Sequence, residues 1–388
     1  MRILHITPYF APAFVYGGPP RSVLGLCRAL QRAGADVDVV TTSANGADEL
    51  PPSVTGQATF ETVRVMYLPR SFPKRYFRSA ALTQVLETRE RDYDLVHVHG
   101  CWNLFGWTAA QWCRRTGLPY VLSPRGMLHP WSFDHGRMET KWLSYWLVEA
   151  PTLRGARLLH ATSQEESDVI AALRLGTEIV LVPNGLDELD ALVPDRSDAF
   201  RARVGVQPGD FLVLFLGRLH PKKGLETLIE AFRRLPAERA TLLVAGTGEP
   251  EYVGRLRAAA RDLILTGRVH FAGHLTGDDR RLALASADAF ALASHSENFG
   301  MSVAEAMAAG LPVVVSRTCP WPQIEAWRAG FWVDNTADAV GAALTTLIGD
   351  RPAARAMGAN GRREVRVYLC WDRLADQMLR AYERAVEH

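Results

Sequence analysis

Residues 294–312 read Ser294-His295-Ser296-Glu297-Asn298-Phe299-Gly300-Met301-Ser302-Val303-Ala304-Glu305-Ala306-Met307-Ala308-Ala309-Gly310-Leu311-Pro312. An apolar run at 289–293 stops where this stretch begins, and Val303, Ala306 and Met307 then repeat at helical spacing. Gly310 stands where a helix C-terminal glycine belongs, and Leu311-Pro312 leads into the apolar Val313-Val314-Val315. The order is therefore strand, loop, helix, strand. It puts Glu297 in a loop at a strand's carboxyl end and Glu305 inside the helix that follows. Backbone N–H groups at a helix start have no helix carbonyl to bond and form a natural anion site. Two carboxylates beside them can accept from sugar or ribose hydroxyls, so the stretch reads as a seat for a sugar attached to a phosphate. Ser302-Val303-Ala304-Glu305 is also a capping box, in which Glu305 would only satisfy backbone donors. Glu297, in the loop, has no such role.

Working outward, 388 residues exceed the usual single core and imply two domains. A formal charge of +2 argues against a nucleic-acid binder driven by bulk electrostatics. Cys27, Cys101, Cys113, Cys319 and Cys370 form no C-x-x-C pair and are odd in number, which points to a reduced, cytoplasmic protein. The start, Met1-Arg2-Ile3-Leu4-His5-Ile6-Thr7-Pro8, turns polar too soon for a signal peptide. No apolar stretch approaches the roughly 20 residues needed to span a bilayer. The chain reads as soluble, or at most peripheral to a membrane.

Apolar runs at 3–6, 37–41, 63–67, 95–98, 120–122, 158–160 and 179–182 alternate with helical patterns in the first half. Runs at 212–216, 242–245, 269–271, 289–292 and 313–315 do so in the second. Such continuous runs suit strands buried on both faces of parallel sheets, giving two doubly wound α/β domains. The boundary is expected within 183–201, where Asn184-Gly185, several Asp and Pro194 interrupt the pattern. The domains are thus 1–190 and 191–370.

Ligands of open α/β sheets bind outside the strands' carboxyl ends, so the loops there carry the information. After the first strand come Gly17-Gly18-Pro19-Pro20-Arg21, which admit close backbone approach and start a helix buried through Val23, Leu24, Cys27 and Leu30. No G-x-G-x-x-G dinucleotide fingerprint follows any strand. Asp36-Val37-Asp38 and Asp92-Tyr93-Asp94 match a metal-binding D-x-D but precede their strands, and are read as structural. His97-Val98-His99-Gly100 closes one strand; its imidazoles are expected on opposite faces, with His99 the candidate for the cleft. Ser123-Pro124-Arg125-Gly126-Met127-Leu128-His129 closes the next, where Arg125 could take a phosphate bidentately. His99, Arg125 and His129 are the acceptor candidates. Residues 68–80 interleave Arg70, Lys74, Arg75 and Arg78 with Phe72, Tyr76 and Phe77, which suits an anionic membrane surface or a solvated loop equally. Trp102, Phe105, Trp107, Trp112, Trp131, Trp142 and Trp146 are read mainly as core. In the second half, Gly217-Arg218-Leu219-His220-Pro221-Lys222-Lys223-Gly224 follows its strand with the cations and glycines a diphosphate needs. Gly246-Thr247-Gly248 adds a second backbone-lined contact.

Together these residues resemble the family 4 retaining glycosyltransferases of the GT-B fold. The ordered set comprises the Gly17-Gly18 loop, Gly34-Ala35-Asp36-Val37-Asp38, Val182-Pro183-Asn184-Gly185-Leu186-Asp187, Gly217-Arg218 with Lys223-Gly224, Glu297-x7-Glu305 and Gly310-Leu311-Pro312. The resemblance implies two Rossmann-like domains facing a cleft, a nucleotide-sugar donor (UDP-, GDP- or ADP-linked) on the second domain, and a last helix near 371–386 that packs back on the first. It implies that Arg218 and Lys223 hold the diphosphate, that Glu297 with Asn298, Phe299 and Gly300 holds the sugar, and that Glu305 holds the ribose. The Gly17-Gly18 loop would close over the phosphates. It implies retention by front-face attack without metal or cofactor. The basic–aromatic stretch 68–80 points to a saccharide or lipid-linked acceptor of a surface-polysaccharide kind and to the inner membrane face. Arg125 stands where many members carry a donor-contacting histidine. The alternatives are a non-catalytic sugar-nucleotide-binding subunit, or an epimerase or phosphorylase of the same shape.

Overall fold

The computed structural model describes residues 1–89, 92–129, 144–186, 196–235 and 240–387. Trp131, Trp142, Asp187 and the 187–195 part of the expected boundary lie outside these residues. The chain forms two compact units, Met1–Gly185 with Trp371–His388, and Leu186–Cys370.

In the first unit, the apolar runs become β1 (Arg2–Thr7), β2 (Asp36–Thr42), β4 (Val63–Leu68), β5 (Leu95–His99), β6 (Tyr120–Ser123), β7 (Leu158–Ala161) and β8 (Glu178–Leu181). With β3 (Gly56–Phe60) they make one sheet in the order β8-β7-β6-β5-β1-β2-β4-β3. Neighbours are parallel except β3, which folds back on β4. The apolar pattern missed β3, because this edge strand is largely exposed and carries no buried run. The two faces of the sheet alternate residue by residue: Ile3, Val37, Val39 and Leu95 join one core, while Leu4, Ile6, Val96 and Val98 join the other.

The first core is closed by α1 (Gly18–Arg32) and the last helix, α5 (Trp371–Glu387). Val23, Leu24, Cys27 and Leu30 of α1 are all buried. Trp371 lies in a slot made by the absence of two side chains. A Cβ on Gly25 would stand 2.7 Å from its ring, and one on Gly185 would stand 2.3 Å from it. The Asn184-Gly185 pair is therefore needed for packing the last helix as well as for turning the chain.

The second unit has a six-stranded parallel sheet of β9 (Phe211–Leu216), β10 (Ala240–Ala245), β11 (Val269–Gly273), β12 (Ala289–Leu292), β13 (Val313–Ser316) and β14 (Gly330–Val333). The order is β11-β10-β9-β12-β13-β14. The strand direction of growth reverses between β9 and β12, so the loops after these two strands flank the switch point where such sheets bind ligands. Its helices include α2 (Leu225–Arg234), α3 (Gly277–Ser286) and α4 (Met301–Ala308). Among the described residues no helix is long and apolar enough to cross a membrane.

Candidate active site

The loops after β9 and β12 touch because glycine permits it. A Cβ on Gly224 would stand 1.8 Å from the Ala293 carbonyl oxygen, and His295 N–H donates to the Lys222 carbonyl at 2.8 Å. This seam brings Lys223 to Glu297, and the ammonium bonds the carboxylate directly. Ser294 Oγ donates to the same carboxylate oxygen at 2.9 Å. The loop is fixed from below: Ser316 Oγ (2.7 Å), Thr318 Oγ1 and Asn335 Nδ2 (3.1 Å) all donate to the Ser294 carbonyl. Trp321 Nε1–H donates to the Phe299 carbonyl, and the two rings pack edge to face at 5.3 Å. Gly300, left-handed at φ +77°, begins α4. Val303 N–H reaches its carbonyl at 2.9 Å, and the amides ahead have no helix carbonyl to bond.

The capping-box alternative fails here. Gly300 is the cap, Ser302 lies inside the first turn, and no side chain caps the helix. Glu305 is buried and its carboxylate accepts from Arg280 of α3. Nothing in the pattern around Arg280 singled it out. A buried glutamate demands a cation, but the sequence does not say which. Arg218, next to this seam, is exposed and makes no hydrogen bond or ion pair with the described residues. Gly246 also has a packing reason: its Cβ would stand 1.8 Å from the Gly217 carbonyl oxygen. Close packing of the two loops requires that glycine, whatever ligand comes near.

In the first unit, Gly17 (φ +85°) caps α1 with open space where a Cβ would stand, and Gly18 is the first helical residue. Both D-x-D matches are structural: Arg64 binds Asp36 and Asp38, the Arg2 amide donates to Asp94 at 2.7 Å, and Arg2 pairs with Asp92 at 3.5 Å. The expectation for His97 and His99 was wrong. Residues two apart on a strand share a face, and the rings lie 4.0 Å apart. His5 is level with His97 on the neighbouring strand, and His160 lies 5.4 Å from His97. Four histidines thus share the face under α5, where Tyr382 Oη bonds His97 Nδ1 at 2.6 Å.

Arg125 joins this group, while His129 is engaged with Glu165 at 3.0 Å. Arg125 Nη2 donates to His99 Nδ1 at 3.1 Å and Nη1 to Asn184 Oδ1 at 2.7 Å. A guanidinium only donates, so His99 carries its proton on Nε2 and gives it to His5 Nδ1, 2.9 Å away. The nitrogens of His5, His97 and His99 lie close enough to hold a metal. With Nδ1 accepting from Arg125 and Nε2 protonated, His99 has no lone pair left for one.

Burial first, and Arg125 second, hold His5 and His160 down to about 3. His97 and His99 are also lowered by burial. Unfolding would let these bases protonate, so stability should fall as pH drops from about 6.5 toward 3. Glu149, raised by burial to about 7, opposes this by favouring the fold at low pH, one group against four. Urea titrations at pH 7.5 and pH 5 should show the loss, and His160→Gln should lessen it. Equal midpoints would refute the neutral-histidine reading.

Of the aromatic residues, Phe105 and Trp112 are core, but Trp107 and Trp146 are exposed. In 68–80, Arg70 is buried against Glu49 (2.9 Å), which also takes Lys74 (3.3 Å), and Arg78 bonds the Phe72 carbonyl (2.9 Å). Phe72 is 87% exposed.

The chain matches two family profiles, "Glycosyl transferase 4-like domain" over residues 17–185 and "Glycosyl transferases group 1" over 196–364. A D-inositol 3-phosphate glycosyltransferase of Xylanimonas cellulosilytica is 31% identical over 419 residues, covering 96% of this chain and 92% of that protein. The chain belongs to the family 4 glycosyltransferases. A second relative of this glycosyltransferase, the GDP-mannose-dependent alpha-(1-6)-phosphatidylinositol monomannoside mannosyltransferase of Mycobacterium tuberculosis, is 32% identical over 232 residues, covering 56% of this chain and 59% of that one. Its fold matches sucrose-phosphate synthase from Thermosynechococcus elongatus (TM-score 0.79, 20% identity, 99% of each chain). It also matches Anabaena HepE in complex with UDP and glucose (TM-score 0.77, 20% identity, 99% of each chain). The architecture is GT-B.

Proposed function

We propose that this glycosyltransferase moves a hexose from a nucleoside-diphosphate sugar, seated on the second unit, to a hydroxyl of an acceptor on the first, with retention and without a metal. The observation that carries this is the Lys223–Glu297 pair at the switch point. The donor diphosphate takes the charge of Lys223 and Arg218. Glu297 is thereby released to accept from sugar hydroxyls, while the α4 amides and the Phe299–Gly300 loop border the sugar. Glu305, oriented by Arg280, takes the ribose hydroxyls. In the transfer, the bond from C1 to the phosphate oxygen breaks as the acceptor oxygen bonds C1 on the same face. The acceptor proton passes to the departing phosphate. Lys223 and Arg218 stabilise the negative charge that grows there. UDP and glucose in HepE make UDP-glucose the first donor to test.

The test is nucleoside-diphosphate release with and without EDTA, followed by the anomeric proton coupling of the product. Unchanged release in EDTA and the donor's anomeric configuration are expected. An inverted product would overturn the front-face route, and loss of release in EDTA would overturn metal independence. Glu297→Ala should abolish transfer; a variant that binds donor more weakly in a protein with no turnover would instead favour a binding subunit.

We also propose that the enzyme works in the cytoplasm, at the inner membrane face. Arg70 is taken up by Glu49, which leaves Phe72, Arg75 and the exposed Lys74, itself at 3.3 Å from Glu49, as the contact. Replacing these three by Ser should reduce sedimentation with vesicles of anionic lipid, and equal sedimentation removes the membrane contact.

A further inference from the structure

We propose that Arg125 receives an anionic group, a carboxylate or a phosphate, carried by the acceptor saccharide. This rests on the reading that the first unit holds the acceptor. Arg125 lies two residues past β6, and its guanidinium bonds His99 at the end of β5, where open α/β sheets take ligands. A guanidinium has five N–H groups. Here two are used, on His99 Nδ1 and Asn184 Oδ1, and both acceptors are neutral. Nε–H is closed from solvent and bonds nothing among the described residues. Burial pulls the arginine below its ordinary pKa, the cost of enclosing a charge, and no carboxylate among the described residues bonds it.

Among the described residues, the carboxylate that acts on Arg125 is committed elsewhere. Glu166 favours the charged arginine from a distance, but its oxygens accept from Gly126 N–H, from Thr162 N–H (2.8 Å) and from Thr162 Oγ1 (2.8 Å). These bonds hold the turn that presents Arg125, whose own backbone is left-handed at φ +57°. A non-glycine residue pays for that conformation, and such strain persists where the surroundings impose it. The histidines cannot compete for an anion, since burial keeps them neutral. One enclosed positive fork with N–H groups to spare fits a two-oxygen anion better than a sugar hydroxyl.

The experiment is a thermal-shift titration of the whole chain, saturated with whichever nucleoside diphosphate stabilises it, so that the diphosphate seat is filled. Glucuronate, glucose 6-phosphate, inorganic phosphate and glucose are then added at matched ionic strength. Glucuronate or glucose 6-phosphate should give a further saturable shift that glucose does not. Arg125→Gln should raise the Kd of the anionic sugar by roughly 30-fold or more, as expected for losing a buried charge-assisted pair. Arg125→Lys, which keeps charge but loses the fork, should fall between and serves if the glutamine variant does not fold. A shift equal for glucose and the anionic sugars, or one that survives Arg125→Gln, overturns the proposal. A shift from inorganic phosphate alone, with none from either sugar, also overturns it. If no nucleoside diphosphate stabilises the chain, the donor-site reading fails separately.

Discussion

Lys223→Ala is expected to lower turnover by roughly two orders of magnitude or more, the usual loss for one preorganised donor aimed at developing charge. Its ammonium sits at the switch point, held by the Gly224 seam and bonded to Glu297. That pairing has two readings with different kinetics. If Lys223 serves the departing diphosphate, its contribution grows as the C1–O bond breaks, and kcat falls more than KM rises. If it serves only to hold Glu297 in place, a second change of Glu297 to Gln should cost little more. Lys223→Arg keeps the charge but places a planar fork where a compact ammonium stood, so it should recover only part of the loss. Steady-state rates of Lys223→Ala, Glu297→Gln and the double variant decide the matter. Near-normal turnover in Lys223→Ala would remove the diphosphate role altogether.

How far the sequence revealed this arrangement depends on the kind of signal. Strands buried on both faces announce themselves as apolar runs, and the loops at their ends follow, so Lys223 and Glu297 could be named before their contact was known. The edge strands β3 and β14 were missed: β3 carries no apolar run, and β14 has only the short, half-buried Phe331-Trp332-Val333 after a glycine. Contacts set by topology were illegible for another reason. Arg280 reaches Glu305 from 25 positions away on another helix, and no local pattern encodes that. The histidine face is an intermediate case: a correct count of strand periodicity puts His97 and His99 together. Only the sheet order adds His5 and His160. Gly246 shows that a glycine beside a site can also be fixed by its neighbour's carbonyl.

Arg280→Ala should destabilise the second unit by about 3–5 kcal/mol, the range for removing one partner of a buried ion pair. The side chains are 13% and 3% exposed, so Glu305 has little water to turn to. Its carboxylate would then favour protonation, which raises its pKa in the folded variant. A raised folded pKa means the fold holds a proton that the unfolded chain gives up, so the variant gains relative stability as pH falls. The gap between wild type and Arg280→Ala in urea should therefore narrow from pH 7.5 to pH 5.5. The histidines of the first unit act on both proteins alike and cancel in the difference. Adding Glu305→Leu should recover much of the loss, because an apolar side chain needs no cation. The same double variant should not recover activity if Glu305 holds the donor ribose, since leucine accepts no hydrogen bond. Stability restored together with turnover would reduce the Arg280–Glu305 pair to a structural brace, whereas stability restored without turnover assigns Glu305 to the donor and Arg280 to holding it in position.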